Sequence, residues 1–185
     1  MSLEQLEREK YERIWTHKDY RANSPGERLV PYFLDQIPGF LSKAGESIVD
    51  LGCGTGRAGA ALAREGFNVF LLDHVNAVDP VINLPLILAN LWELEKIASF
   101  HWFYCCDVME HIPPEKVDAV LDNIAGMTTK GGFFQIALFP DEWYGETLHL
   151  TVESREWWTQ KLLDRWQYVT IGEPEKRRMA ALVRK

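Results

Sequence analysis

The sequence predicts an α/β fold: a mostly parallel seven-stranded sheet with helices on both faces and an antiparallel hairpin at its C-terminal end. Three observations lead there. Short apolar runs alternate with segments of helical periodicity, the pattern of parallel strands joined by crossovers. One of those runs, Ser47–Asp50, closes directly on a glycine-rich turn. Two final β-type runs flank Gly172-Glu173-Pro174, which marks a hairpin.

The elements follow in order. Residues 2–18 read as an amphipathic helix, with Leu3, Leu6, Ile14 and Trp15 near helical spacing. Ser2 and Gln5 are placed for a capping box. A polar stretch, Asp19 to Ser24, interrupts this helix. Ser24-Pro25-Gly26-Glu27 starts a second one, with Ser at the cap and Pro at the first helical position. Pro31 is expected to kink it and Pro38-Gly39 to end it. After the strand at Ser47–Asp50, Arg57–Glu65 forms an alanine-rich helix ended by Gly66. Phe67–Leu72 is a second strand, terminated by Asp73; residues 74–86, with Pro80 and Pro85, read as loop with one turn of helix at most. Ile87–Asn90, His101–Cys106 and Gly132–Leu138 supply three more strands, with a helix at about 114–125 before the last. Ser154 caps a helix running to about Trp166, and Tyr168–Ile171 and Met179–Val183 form the terminal hairpin.

Length and composition bound the rest. A chain of 185 residues suits one domain, with residues 1–40 as an N-terminal helical cap. Charges and prolines break every apolar run before the ~20 residues a membrane span needs. The opening LEQLEREKYERIW is too charged for a signal peptide, and three cysteines without CxxC spacing suit a reducing compartment, so a cytoplasmic location is expected. A net charge of −7 disfavours nucleic-acid binding, and Lys176-Arg177-Arg178 reads as a solvated turn. The five histidines show no HxxxH spacing, and the adjacent Cys105-Cys106 cannot easily place both thiolates on one ion, so no metal is expected. Oligomeric state leaves no trace in the sequence.

The chemistry concentrates in residues 48–56, IVDLGCGTG: an apolar strand, Asp50 at its end, then Gly52, Gly54 and Gly56 before a helix. In open α/β sheets ligands bind at the carboxyl ends of the strands, and glycines there let backbone approach a ligand closely. Asp73 ends the next strand roughly 20 residues beyond Gly52, the spacing at which an acid reaches two ribose hydroxyls. The same region admits a dinucleotide reading, because Gly54-Thr55-Gly56-Arg57-Ala58-Gly59 matches GxGxxG. That would make the protein a nicotinamide-dependent oxidoreductase. Against it, a carboxylate just before the loop repels a pyrophosphate and suits a cation. Asp50, Asp73 and Asp107 together would form a negative rim fit for the ammonium and sulfonium of S-adenosylmethionine.

IVDLGCGTG resembles the first motif of class I S-adenosylmethionine-dependent methyltransferases almost letter for letter, and CDVMEHIP at 106–113 resembles their segment after strand four. The resemblance implies a Rossmann-like methyltransferase fold, with S-adenosylmethionine as cofactor. It implies that the loop, Asp50, Gly52, Cys53, Gly54 and Gly56, wraps the methionine portion, and that Asp73 accepts from the ribose. His74 would flank the adenosine. Asn90 and Leu91 fall beside the adenine, with Asn90 in place of the commoner Asp. Asp107 would face donor or acceptor, and Tyr20 and Arg21 would close over the cofactor's carboxylate, Arg21 being equally readable as an exposed surface cation.

Methyl transfer is an in-line displacement, in which the enzyme chiefly positions the partners and excludes water. His111 and His149 are the candidate bases, each with an alternative as a capping or packing residue. Trp143 and Tyr144 could wall an apolar acceptor pocket, while Trp157, Trp158 and Trp166 read as core. The motifs of DNA-base methyltransferases, [DN]PP[YFW] and Pro-Cys, are missing. The expected acceptor is therefore a small molecule, in a pocket formed by residues 15–30, 107–113 and 139–152. A nucleoside-binding partner protein without turnover, and a protein or nucleic-acid methyltransferase, are the alternatives.

Overall fold

The computed structural model describes residues 2–37, 45–94 and 98–185. Helices α1 (Leu3–Ile14), α2 (Lys18–Ala22) and α3 (Pro25–Gln36) precede β1 (Ser47–Leu51) and α4 (Arg57–Arg64). Then come β2 (Asn68–Asp73), β3 (Leu86–Leu88) and β4 (Phe100–Cys106). Two 3-10 turns, Met109–His111 and Pro114–Lys116, lead into α5 (Val117–Met127) and β5 (Thr128–Ala137). A small hairpin, β6 (Glu142–Trp143) with β7 (Glu146–Thr147), is followed by α6 (Arg155–Leu163), β8 (Tyr168–Gly172) and β9 (Arg178–Arg184).

The main sheet has seven strands in the order β3-β2-β1-β4-β5-β9-β8. The first five are parallel; β9 runs antiparallel to both β5 and β8. Strand order reverses between β1 and β4, so their carboxyl ends frame the crevice where such sheets take ligands. Alternation along each strand divides the core in two. Val49, Leu51, Phe103, Cys105 and Phe134 face α5 and α6, where Trp158 and Trp166 are buried as expected. Ile48, Trp102, Tyr104 and Phe133 face α3 and α4.

Several boundaries differ from the sequence reading for identifiable reasons. The first helix stops at Ile14, and the polar stretch after it is not continuous coil, since Lys18–Ala22 forms a short helix. Tertiary contacts supply what polar residues lack: Tyr20 packs edge-on against Trp15 at 4.8 Å, and Arg21 pairs with Asp79 at 2.5 Å. The Ser2–Gln5 capping box forms in both directions. Ser24 stands at the cap position of α3 without making a side-chain cap bond, and the helix runs on through Pro31. The expected stop at Pro38-Gly39 lies outside the described residues.

The third strand sits slightly earlier than expected, at Leu86–Leu88, and β5 begins earlier, at Thr128. Residues 142–147, read as loop, make a two-pair ladder. Its central residues, Tyr144 and Gly145, both have positive φ, as a tight hairpin turn demands. The terminal hairpin does more than append a strand: β9 inserts between β5 and β8.

Candidate active site

The glycine turn after β1 is shaped by close approach. Gly52 has φ +62°, and a Cβ there would lie 2.5 Å from Val108. Gly54 has φ +50°, and a Cβ would meet the Trp15 ring at 2.6 Å. Side chains at either position would both strain the backbone and fill the crevice. Two compartments open beside this turn and share Trp15, Tyr20, Gly52, Asp107 and His111. One lies toward α3 and includes Asp50, Cys53, Gly54, Phe139, His149 and Arg178. The other lies toward β2 and includes Tyr11, Asp73, His74, Asn90, Leu91 and Trp92. Asp50 and Asp73 therefore belong to one joined cleft.

Asp50 is buried and its Oδ2 has no hydrogen-bond partner. Burial pushes its carboxyl up to about 7, opposed by the nearby backbone N–H of Gly59 and reinforced by Asp73. Asp73 is fixed by backbone: Gly54 N–H donates to Oδ2 at 2.9 Å and Val75 N–H to Oδ1 at 3.1 Å. Each carboxylate oxygen keeps a lone pair for a further donor. His74 lies against Asp73 and packs edge-on to Tyr11 at 5.3 Å.

At the end of β4, Asp107 takes φ +52°, and Arg178 from β9 pairs with it. The next turn carries Glu110, fully buried, whose Oε1 accepts from Ala137 N–H at 2.9 Å. Burial first, and Asp107 second, push the Glu110 carboxyl well above the usual range. His111 Nδ1 lies 3.0 Å from Leu148 O and 2.7 Å from the Tyr11 hydroxyl. A carbonyl only accepts, so Nδ1 carries the hydrogen and Nε2 keeps its lone pair. Burial, then the neighbouring His149, lowers His111 to about 4, and the ring is neutral near pH 7. His149 is held the same way, Nδ1 donating to Phe139 O at 2.5 Å, and its ring meets that of His111 edge-on at 4.8 Å.

Of the residues singled out from sequence, Tyr20, Asp50, Gly52, Cys53, Gly54, Asp73, His74, Asn90, Leu91, Asp107, His111 and His149 all line this cleft. Gly56 does not; it caps α4 at positive φ and packs toward Leu71, Val78 and Ile82. Arg21 does not reach the cleft wall either. It joins Arg57 on Asp79, so two cations share one carboxylate and tie α2 to α4. The Asn90 amide oxygen, expected to meet the adenine, accepts from Trp92 N–H at 3.2 Å. Trp143 and Tyr144 stand one step outside the wall: Trp143 backs Tyr20 at 5.5 Å, and Tyr144 stacks on His17 at 4.7 Å.

The negative rim is weaker than the sequence implies, because Arg178 offsets Asp107. Arg178 is no solvated turn residue; its side chain is 17% exposed, and its guanidinium lies 5.3 Å from the Phe139 ring centroid. Trp15 and Glu110 fall within the segments expected to form the pocket but were given no role of their own there. The faint signal for Arg178 was its place at the start of the last β-type run. The adjacent Glu110 and His111 also converge with His149, which lies far from them in sequence.

Residues 48–132 match the family model described as "Methyltransferase domain". Ubiquinone biosynthesis O-methyltransferase of Xylella fastidiosa is 29% identical over 119 residues, 58% of this chain and 48% of that protein. Chloroplastic magnesium protoporphyrin IX methyltransferase of Arabidopsis thaliana is 32% identical over 101 residues, 48% of this chain and 32% of that one. The chain thus spans about half the length, or less, of these curated relatives. Among solved structures, the 1,6-didemethyltoxoflavin-N1-methyltransferase of Burkholderia thailandensis, bound to its substrate and S-adenosylhomocysteine, superposes with a TM-score of 0.69. That match covers 97% of this chain and 87% of the other at 16% identity, a likeness of fold. Taken together, residues 48–132 are similar to the methyltransferase-domain family, and the seven-stranded architecture of the chain is the fold of solved methyltransferases.

Proposed function

We propose that this protein transfers a methyl group from S-adenosylmethionine to an oxygen or nitrogen of a small-molecule acceptor. One observation carries the reading. Asp50, a buried carboxylate with an unpartnered oxygen, stands in the wall of a cleft built on a glycine turn that has no room for side chains. Such a group calls for a cation, and the cofactor's ammonium is one. The relatives support a small molecule: one is an O-methyltransferase of ubiquinone biosynthesis, and the solved toxoflavin-type enzyme holds 1,6-didemethyltoxoflavin. The net charge of −7 argues against nucleic acid, and the free thiols support a reducing, cytoplasmic setting.

When bound, the cofactor supplies an electrophilic methyl group on a sulfonium. The chain's own residues do the rest. Asp50 and the Gly52–Gly54 backbone would hold the amino-acid end, and the free lone pairs of Asp73 would receive the ribose hydroxyls. Trp15, Tyr20 and Tyr11 roof the cleft and exclude water, which favours near-attack geometry. His111, its Nδ1–H anchored on Leu148 O, presents Nε2 as hydrogen-bond acceptor to the incoming hydroxyl or amine. Toward a hydroxyl, so weak a base would take the proton late, once bond formation to carbon has made the oxonium strongly acidic; toward an amine it would serve only as a positioning hydrogen-bond acceptor, with the proton lost to water. His149 is placed to share that role.

Calorimetry with S-adenosylmethionine and S-adenosylhomocysteine tests the binding half. Heat that disappears in Asp50→Asn supports it, and no heat with the wild type overturns it. Incubation with metabolite extracts, read by mass spectrometry for one added methyl group, tests turnover. Binding with no methylated product would leave a nucleoside-binding partner protein instead.

A further inference from the structure

We propose that Glu110, His111 and His149 form a binding site for one divalent transition-metal cation, of the Zn²⁺, Co²⁺ or Mn²⁺ class, in the acceptor half of the cleft. The site goes beyond methyl transfer and stands on its side chains alone. A carboxylate oxygen and one ring nitrogen from each histidine lie within 4.8 Å of one another. Donors around a tetrahedral ion at ~2.1 Å sit roughly 3.4 Å apart, so no pair has to close by more than roughly 1.4 Å on binding.

The tautomers favour ligation. Both Nδ1 atoms are committed to backbone carbonyls, His111 to Leu148 O and His149 to Phe139 O. Each imidazole is thereby left with its Nε2 lone pair, oriented by an outer carbonyl in the manner of metal-binding histidines; with a cation seated, that lone pair no longer accepts from the incoming group, which would meet the open position instead. Glu110 is the third donor, and its Oε2 has no hydrogen-bond partner at zero exposure. A buried carboxylate oxygen in that state needs a proton or a cation.

The scaffold is rigid where a site must be. Leu150 and Thr151 both donate their backbone N–H to Glu110 O, at 2.8 and 3.0 Å. The Thr151 hydroxyl donates to Ile112 O at 2.6 Å. These bonds lock the segment carrying His149 onto the turn carrying Glu110 and His111. Two imidazoles and a carboxylate are the set that catalytic zinc sites use with one position open, and nitrogen donors select transition metals over Mg²⁺ or Ca²⁺. Both histidines line the α3-side compartment, so the open position faces an incoming acceptor.

The test is a Co²⁺ titration of the chelator-treated full chain, followed by visible absorption and calorimetry. One equivalent, with the strong d–d bands of low coordination, is expected. His149→Ala should lower affinity at least tenfold and abolish the bands, and Glu110→Gln should weaken binding with its fold verified by circular dichroism. His17→Ala, away from the cluster, should leave both unchanged. Absent bands, or bands that survive His149→Ala, overturn the site. S-adenosylhomocysteine binding measured on the same samples keeps the two readings apart. Nucleoside binding without cobalt binding refutes only the metal site, and the converse refutes only the methyl-transfer reading.

Discussion

Arg178, on an antiparallel strand far along the chain, pairs with Asp107 at the tip of parallel strand β4, and each side chain is under one-fifth exposed. Without it, Asp107 would stand uncompensated beside Glu110. Arg178→Ala is therefore expected to destabilise the protein by about 2 kcal/mol, less than a fully buried pair would cost. Arg178→Lys should restore part of this, since a lysine keeps the charge but loses the planar fork. Urea denaturation at pH 7 measures both, and equal stability of Ala and wild type would refute the pair's contribution.

Asp50 carries a pH signature. Burial holds its carboxyl at about 7 in the folded protein, against an ordinary value of 3.8. The folded state thus binds a proton that the unfolded chain has already lost between those values. Stability falls as pH rises through that window and levels off above 7. Asp50→Asn removes the penalty, so the ligand-free variant should out-melt wild type at pH 8 by up to a few kcal/mol and match it more closely near pH 4. Melting curves at the two pH values decide this. The same variant should lose S-adenosylhomocysteine affinity by roughly tenfold or more.

Gly54→Ala places a methyl group 2.6 Å from the Trp15 ring at φ +50°. A cost of about 1–3 kcal/mol is expected from clash and backbone strain together. Displacement of Trp15 should also shift tryptophan fluorescence and weaken nucleoside binding. An unchanged spectrum with wild-type affinity would mean that Trp15 does not roof the turn.

Asp79 joins Arg21 of α2 to Arg57 of α4. A five-residue helix with no side-chain cap has little stability of its own. Asp79→Ala should release it, seen as faster limited trypsin cleavage after Lys18 and Arg21, with the rest of the chain still protected. Uniform cleavage throughout would point to global unfolding instead.

What was legible in the sequence was local. The glycine turn, Asp50, Asp73 and the alternation of strand and helix are written in contiguous residues, whose chemistry does not depend on distant partners. Ser2 caps its helix for the same reason. The misreadings at the site involve neighbours set by topology. Arg178 reads as part of a basic turn until β9 slides between β5 and β8 and aims it at the cleft. Arg21 reads either as a partner for the cofactor's carboxylate or as an exposed cation, and its partner in the fold is Asp79. Histidine spacing says nothing of the 111–149 pair, because the bracket joining those segments runs through backbone atoms.

The placement of β9 bears on how the molecule is born. On a ribosome the parallel strands and the glycine turn emerge early, yet the gap beside β5 stays open until residues 178–184 follow. Until then β8 has no partner in the sheet and Asp107 has no counter-charge. A nascent or prematurely halted polypeptide would therefore display an unpaired strand edge and an ill-balanced pocket, inviting chaperones or proteases rather than ligand.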